Sequence, residues 1–236
     1  MIYLISSIVA CLLCVGYIWK KDMRQYNYQM VSFNTDDMKF LMFDSVNGVD
    51  FLQRKVEYIP KQGNGTVRDP SCIWRDGKYY VVYTTIAWDT GNQIGMFTTR
   101  DFSECKEREM IKVGEYNKVW APTFYQEANQ VYIIYNAAYE DEKFSSYIVP
   151  YNIEKHAIGE AIKIEGLPDN VIDTEIYKVE GKYYLFYKNE DTKYVEMAMS
   201  NQLNGPYQVV GEDDWASWGN TLEGPCLVSL PKGYRL

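Results

Sequence analysis

The chain has 236 residues, of which 32 are acidic and 24 are basic, so its formal net charge is −8. This charge, without any basic cluster, argues against a polyanionic partner such as nucleic acid. The 22 Tyr and 6 Trp residues favour β-strands and flat surfaces on which sugars stack, so the composition predicts an all-β protein.

Residues 2–19 form an almost unbroken apolar run that two lysines close. Such a run is typical of an export signal or a membrane anchor, and a buried helix of the domain is the alternative. Ile8-Val9-Ala10-Cys11 is similar to a bacterial lipoprotein cleavage box, although no basic residue precedes the run. We interpret residues 1–22 as a leader helix that is a signal peptide, a lipoprotein signal or a membrane anchor. The remainder, 23–236, is predicted to be one domain, exported to the periplasm, the outer membrane or the surface of a bacterium.

Cysteine and histidine are too sparse for a metal or disulfide framework. Cys72, Cys105 and Cys226 are odd in number and widely spaced, which does not suggest disulfides. His156 is the single histidine and lies in a polar turn, so it is predicted at the surface. Without a second histidine, neither a zinc site nor a Ser-His-Asp constellation is supported.

Four segments of the chain repeat one pattern. An apolar strand leads to a Gly or Asn turn, and a second strand with alternating tyrosines follows. The repeats begin at Asp69, Ala121, Asp173 and Glu223, at intervals of 52, 52 and 50 residues. Repeats of about 40 to 50 residues that are rich in short strands are typical of propeller blades. Each blade is therefore predicted to be a four-stranded antiparallel sheet.

The segments on either side of the repeats suggest an incomplete propeller. Residues 38–57 resemble two strands around a turn at Asn47-Gly48, which in a closed propeller would complete the last blade. The sequence stops inside the fourth repeat, so we count about three and a half blades and expect a C-terminal truncation. No window after residue 23 keeps an apolar period of 3.6, so no further helix is predicted.

The first residue of each repeat lies near the propeller axis, where the innermost strands begin. Asp69, Asp173 and Glu223 should therefore converge on one funnel. Converging acids raise the pKa of at least one of them, and a neighbouring cation such as Arg68 can hold another ionised. A protonated carboxyl beside a carboxylate is what glycoside hydrolysis requires. One such acid alone would indicate only a turn, whereas three in phase indicate a catalytic site.

Four motifs occur in order across residues 38–236: Val67-Arg68-Asp69-Pro70-Ser71, Trp120-Ala121-Pro122, Ile172-Asp173 leading to Tyr187-Lys188-Asn189-Glu190, and Leu222-Glu223-Gly224-Pro225. In these motifs and their spacing the chain resembles glycoside hydrolase family 43, the arabinofuranosidase, β-xylosidase and arabinanase group. The resemblance implies an all-β, five-bladed β-propeller, here incomplete, that hydrolyses arabinose- or xylose-containing plant polysaccharides or oligosaccharides with inversion.

By position, the resemblance assigns Asp69 as the general base that activates water. It assigns Glu223 as the general acid, and Asp173 as the carboxylate that orients this acid and raises its pKa. Thr123 departs from similar sequences, which often have an acid at that position, and this leaves one substrate contact open. Glu190 follows a strand that should end away from the axis, so we expect it to be peripheral.

Aromatic and basic residues near the repeat starts are predicted to bind substrate. Trp88 and Trp120 are candidate sugar-stacking platforms, and core packing is the alternative for each. Trp215 and Trp218, in the loop just before Glu223, are weaker candidates that could rim the pocket. Arg68 is a candidate substrate contact beside the base, and a solvated turn arginine is its alternative reading.

No cofactor is required for this chemistry. The resemblance allows a structural calcium in the channel, but the later-blade histidine that usually accompanies it is missing from the sequence. The predicted partners are a carbohydrate and, through the N-terminus, a membrane; the chain is predicted to be a monomer. A non-catalytic carbohydrate-binding propeller and an inactive truncated fragment are the alternative functions, and weak or absent hydrolysis is expected if the propeller is open.

Overall fold

The structure, a computed structural model, describes residues 27–85, 91–140 and 142–236. These residues form strands, turns and irregular segments, without any helix. It follows that the part of the chain described here contains no helix able to cross a membrane. The predicted leader at 1–22 and Trp88 lie outside the described residues.

The chain divides into two compact units, and the described part of the smaller one comprises residues 27–30 and 43–53. Its predicted turn is present, with Gly48 at φ 72°. Asn47 Oδ1 stabilises this turn by accepting the N–H groups of Val49 and Asp50, each at 2.9 Å. Three strands precede the repeats, the first of which was not predicted: β1 (Tyr28–Phe33), β2 (Phe40–Ser45) and β3 (Leu52–Arg54).

The larger unit, residues 31–42 and 54–236, contains four successive blades of an incomplete β-propeller. Blade 1 consists of β4 (Arg68–Arg75), β5 (Lys78–Thr84), β6 (Gln93–Thr99), β7 (Lys106–Glu107) and β8 (Ile111–Lys112). Blade 2 consists of β9 (Lys118–Glu127), β10 (Gln130–Ala138), β11 (Ser145–Asn152), β12 (Ala157–Ile158) and β13 (Ile162–Lys163). Blade 3 consists of β14 (Val171–Val179), β15 (Lys182–Asn189), β16 (Val195–Ser200) and β17 (Gln208–Gly211). The fourth blade is represented by β18 (Val228–Leu230) and β19 (Gly233–Arg235). The prediction of an incomplete all-β propeller is confirmed.

The first two strands of blades 1 and 3 are joined by tight hairpins. Asp76 and Gly77 connect β4 to β5, and both have positive φ, 50° and 76°. Glu180 and Gly181 connect β14 to β15 in the same way, at 50° and 81°. Two-residue loops with both φ values positive match the twist of the flanking strands, and glycine adopts this conformation without steric cost.

The core of the larger unit lies between blades. In β10, successive side chains point to opposite faces of the sheet, so Ile133 and Ile134 contact different neighbours. Ile133 packs with Met96 of blade 1, and Ile134 packs with Leu185 of blade 3, all of them fully buried. A strand that is buried on both faces has no polar side, which explains the unbroken apolar run at 131–135.

Blades 2 and 3 are joined by a buried polar group as well as by apolar packing. The side-chain nitrogen of Asn136 lies 2.8 Å from Ser146 Oγ, 2.9 Å from Thr174 Oγ1 and 3.2 Å from the carbonyl oxygen of Val171. Its oxygen accepts the N–H of Thr174 at 3.3 Å. Asn136 is fully buried, so these contacts replace the water that the amide and its partners would otherwise bind.

We expect Asn136→Ala to lower the free energy of unfolding by about 2 to 3 kcal/mol, because it leaves buried polar groups of blade 3 without partners. Urea denaturation measures the change. Asn129→Ala, at an exposed turn of the same blade, is the control and should change it by less than about 0.5 kcal/mol. Equal effects of the two substitutions would contradict this role of Asn136.

Candidate active site

Three repeat starts have the same unusual backbone. Asp69, Ala121 and Asp173 have φ values of 46°, 47° and 55°, which is the left-handed region that side chains rarely adopt. Each lies at an irregularity in the pairing of the innermost strand with the next strand. A bulge of this kind re-aims a side chain away from the regular ladder, at a cost of about 1 to 3 kcal/mol per strained residue. The repeat predicted from sequence is therefore present in backbone geometry.

The fourth repeat start differs from this pattern. The repeat predicts that Glu223 begins a strand, and this prediction is wrong. Glu223 lies in an irregular segment before β18. Its side chain is 51% exposed. This segment is held by blade 3 rather than by a sheet of its own, through three backbone N–H groups and one indole side chain. Four hydrogen bonds make the attachment: Trp215 Nε1 to the Val195 carbonyl (3.0 Å), Thr221 N to the Lys193 carbonyl (2.8 Å), Gly224 N to Asp173 Oδ2 (3.0 Å) and Leu227 N to the Tyr177 hydroxyl (2.6 Å).

Asp69 is held by a threonine that also contacts the next blade. The Thr84 hydroxyl accepts the N–H of Ala121 at 2.8 Å, so its own proton is directed to Asp69 Oδ2 at 2.9 Å. Burial raises the pKa of Asp69, and the charge of Glu223 adds to this effect. The Arg68 guanidinium, with Nε 3.9 Å from Asp69 Oδ1, and the Thr84 hydroxyl oppose it.

Asp173 has the electrostatic properties of a carboxyl that shares its site with other acids. Burial raises its pKa to about 7, and the negative charges of Asp69 and Glu223 act in the same direction. The Gly224 N–H and the charge of Lys188 oppose them. Because both other acids act on Asp173, the three repeat-start acids form one electrostatic cluster. Acids whose environments differ in this way can divide the roles of proton donor and acceptor.

A buried lysine and a second glutamate complete this cluster, and our sequence reasoning assigned neither a role. Lys188, at the end of β15, forms hydrogen bonds with Glu223 Oε1 and lies 2.7 Å from Glu190 Oε1. The prediction that Glu190 is peripheral is wrong, because β15 is antiparallel to β14 and so ends where β14 begins. The repeat itself contained a signal for Lys188. Thr84, Asn136 and Lys188 follow the starts of repeats one, two and three by the same number of residues, so the three occupy one repeat position.

The predicted substrate-binding residues occupy different environments. Arg68 is only 15% exposed, and its guanidinium lies 5.0 Å from the ring centroid of Phe33. Trp120 is partly buried against Phe144, with ring centroids 4.5 Å apart. Trp218 is 44% exposed beside Trp215, in the loop that leads to Glu223. Trp218 thus offers the most accessible aromatic surface of the three, and substrate binding by any of them stays a prediction.

Thr123, where the family resemblance left a substrate contact open, lies at the interface between blades 2 and 3. Thr123 Oγ1 donates to the carbonyl of Thr174 at 3.0 Å, and Thr123 is buried. The same repeat position in blade 3 holds Glu175, which accepts a hydrogen bond from the Tyr177 hydroxyl. Burial raises the pKa of Glu175 to about 7, although that hydrogen bond opposes the change. An acid is therefore present at this repeat position in blade 3.

The described residues do not supply a metal site. Across 27–85, 91–140 and 142–236, no group of three or more His, Cys, Asp and Glu side chains is placed to hold an ion. His156 is engaged elsewhere, with ring nitrogens 2.7 Å from the Tyr151 hydroxyl and 2.7 Å from the Glu109 carbonyl, where it links blade 2 to blade 1. The donor set for a structural calcium is not found among these residues, and calcium binding stays a prediction of the family resemblance alone.

The fold and the cluster define the class of the protein as a β-propeller with converging acids at its repeat starts. A family model described as "Probable glycosyl hydrolase domain", a group related to glycosyl hydrolase family 43, matches residues 26–234. The chain belongs to this family. A comparison with curated protein sequences returned no match.

Solved structures of glycoside hydrolases share the fold at low sequence identity. The endo-arabinase from Bacteroides thetaiotaomicron VPI-5482 matches with a TM-score of 0.68 and 12% identity, over 87% of this chain and 81% of that one. The xylan β-1,4-xylosidase from Bacillus halodurans C-125 matches with 0.66 and 16%, over 88% and 45%. The Cellvibrio cellulosa α-L-arabinanase complexed with arabinohexaose matches with 0.60 and 14%, over 82% and 76%. The chain thus spans less than half the length of the xylosidase.

Two adjacent threonines provide a test of the Asp69 environment. Thr84→Val removes the donor to Asp69 and leaves the Ala121 N–H unpaired, so we expect the free energy of unfolding to fall by about 1 to 3 kcal/mol. Thr85→Val is the matched control, because the buried Thr85 hydroxyl has no hydrogen-bond partner among the described residues. It should leave stability unchanged or raise it. Chemical denaturation of both variants decides, and equal destabilisation would contradict the assigned role of Thr84.

Proposed function

We propose that the protein is a glycoside hydrolase that cleaves arabinose- or xylose-containing glycans with inversion. The observation that carries the proposal is the cluster of Asp69, Asp173 and Glu223, in which Asp173 has its pKa raised to about 7 by burial and by the charges of the other two. In this proposal Asp69 activates the water and Glu223 protonates the leaving oxygen. Asp173 holds the backbone at Gly224, next to the acid, through the 3.0 Å hydrogen bond.

The choice of a pentose glycan rests on family membership and on the structural neighbours. The neighbours are named as a xylosidase and as arabinanases, one of which is complexed with arabinohexaose. An inverting reaction additionally requires the base and acid carboxyls to be about 6.5 to 9.5 Å apart, so that a water fits between them and the sugar. The Gly224 N–H donates to Asp173, so the segment that carries the proposed acid lies beside Asp173.

The surface next to Glu223 is suited to a sugar ring. Trp215, Trp218 and Leu222 are 40%, 44% and 44% exposed, and all three lie in the loop that carries the acid. The indole of Trp215 is fixed by its hydrogen bond to the Val195 carbonyl, so it can support Trp218 as a rigid platform. Aromatic faces of this kind bind the apolar faces of sugars while the hydroxyl groups reach polar partners.

A non-catalytic carbohydrate-binding propeller is the second candidate, and one observation favours it. Glu223 is hydrogen-bonded to the Lys188 ammonium group, and a carboxylate in that contact is not a proton donor. Catalysis then requires Glu223 to gain a proton and to leave this contact when substrate binds. If the segment that carries Glu223 never does so, the same cluster binds sugars without cleaving them.

Export, attachment to a membrane through the N-terminus, a bacterial envelope location and a monomeric state remain predictions, since they depend on residues 1–26 or on features outside the described structure. A carbohydrate remains the predicted partner.

The catalytic proposal makes a prediction that depends on the leaving group. Glu223→Gln should abolish hydrolysis of arabino- or xylo-oligosaccharides, since an amide cannot protonate a poor leaving group. It should retain part of the activity on aryl glycosides with an acidic phenol, which leaves without protonation. Asp69→Asn should lose both activities, because the attacking water is then unactivated. Initial rates on the two substrate types measure the difference.

Asp76→Asn, at an exposed hairpin turn, is the control for these variants and should hydrolyse both substrates as the unmodified chain does. Equal loss on both substrate types for Glu223→Gln would show that the acid is misassigned. Calorimetric binding of an arabino- or xylo-oligosaccharide, without turnover of any substrate by the unmodified chain, would favour the binding propeller. Absence of both binding and turnover would contradict both candidates.

A further inference from the structure

Lys188 is a charged side chain in a position where charge is costly. Its side chain is only 6% exposed, and a buried ammonium group requires paired partners. Two carboxylates supply them, Glu190 at 2.7 Å and Glu223 by a direct hydrogen bond. Burial lowers the pKa of Lys188, but the interactions with these two carboxylates outweigh it and raise the pKa above the ordinary value. Lys188 is therefore cationic in the folded protein.

The position of Lys188 in the repeat shows what this side chain does. Thr84, Asn136 and Lys188 are 52 residues apart and follow the starts of repeats one, two and three at equal distance. We call them the bridging residues, because each reaches from the second strand of its blade to the start of the next repeat. Thr84 accepts the backbone N–H of Ala121, and Asn136 contacts the backbone at Val171 and Thr174.

The third bridging residue differs in what it holds. Where Thr84 and Asn136 contact backbone groups of a strand, Lys188 contacts the side chain of Glu223, whose segment is not a strand. Its charge therefore acts directly on the proposed acid. Asp173, at the start of the same blade, is also within reach of this charge, which lowers its pKa.

Glu190 shares the Lys188 ammonium group with Glu223. The Glu190 carboxylate lies 2.7 Å from Lys188 Nζ and 2.9 Å from Lys193 Nζ. Burial raises the pKa of Glu190, but the interactions with the two lysines outweigh it and leave the pKa below the ordinary value. Of the two carboxylates, Glu190 is the less exposed, at 22% against 51% for Glu223, so Glu223 is the one that solvent or a ligand reaches more easily.

We propose that Lys188 is a positioning residue that fixes the place and the charge of Glu223, and that Glu190 permits Glu223 to leave the pair. The importance of this arrangement for hydrolysis rests on the proposed function, whereas the arrangement itself does not. The charged groups that act on Glu223 are then Lys188 from blade 3, and Asp173 and Asp69 from the other repeat starts.

The proposal predicts shifts of opposite sign in the titration of Glu223. Lys188→Met removes the cation that favours the ionised form of Glu223, so the titration midpoint of Glu223 should rise. Glu190→Gln removes the competing carboxylate, so the Lys188 charge acts on Glu223 alone and the midpoint should fall. Each shift should be on the order of one pH unit, as for an opposite charge within about 4 to 6 Å of a carboxyl group.

The measurement is a pH titration of side-chain carboxyl carbons by NMR in the chain labelled with carbon-13 glutamate. The Glu223 resonance is the one that disappears in Glu223→Gln. Lys143→Gln is the control, since this exposed lysine pairs with Asp191 at 2.7 Å and not with Glu223; it should leave the midpoint unchanged.

A midpoint that stays constant in both variants, or that moves in the same direction in both, would overturn the proposal. Should Lys188→Met fail to fold, Glu190→Gln alone decides, and a midpoint that rises or stays constant would refute the role of Glu190. The titration needs neither substrate nor turnover. Failure of the chain to hydrolyse glycosides would therefore count against the proposed function and leave this result intact.

Discussion

The arrangement of the acids depends on one repeated contact, in which the second strand of each blade holds the start of the next repeat. Thr84, Asn136 and Lys188 make this contact in blades 1, 2 and 3. Apolar packing between blades is not directional, so it does not by itself fix the position of one strand start relative to the start of the neighbouring strand. A buried hydrogen bond does, because a displaced partner leaves a polar group unsatisfied. The contacts that join the blades are thus also the contacts that place the candidate catalytic residues.

Different interaction partners then give the acids unequal properties. Asp69 and Asp173 have the same left-handed conformation at the same repeat position, but their partners differ. Asp69 has a hydroxyl donor and a nearby guanidinium, both of which favour its ionised form. Asp173 has one backbone donor and faces the charges of two other acids, which favour its protonated form. Burial raises the pKa of both acids, but the partners of Asp69 oppose this rise, whereas the neighbouring acids add to it at Asp173. Near-identical repeats can in this way give two acids at the same repeat position different tendencies to hold a proton.

The sequence predicted the blades and the acids because both follow one period. Equal spacing identified the strand starts, and the acidic residues were visible as departures from the shared pattern. Glu223 was placed on a strand because its motif is in order, although its interval is two residues short, and the structure has an irregular segment there. Lys188 was assigned no role and Glu190 was placed at the periphery, because the second strand of each repeat was expected to end away from the axis. An antiparallel hairpin returns to the end where it began, so the last residues of the second strand were equally good candidates.

The central claim, that the acids of separate blades share one site, is tested most directly by the titration of Asp173. In protein labelled with carbon-13 aspartate, its carboxyl resonance is the one that Asp173→Asn removes. We predict that Asp69→Asn lowers the midpoint of Asp173 from about 7, because the charge of Asp69 raises it. Asp76→Asn, whose side chain in the unmodified chain is 72% exposed on a hairpin turn, should leave that midpoint unchanged. A midpoint that Asp69→Asn does not move would contradict the claim that these two acids belong to one site.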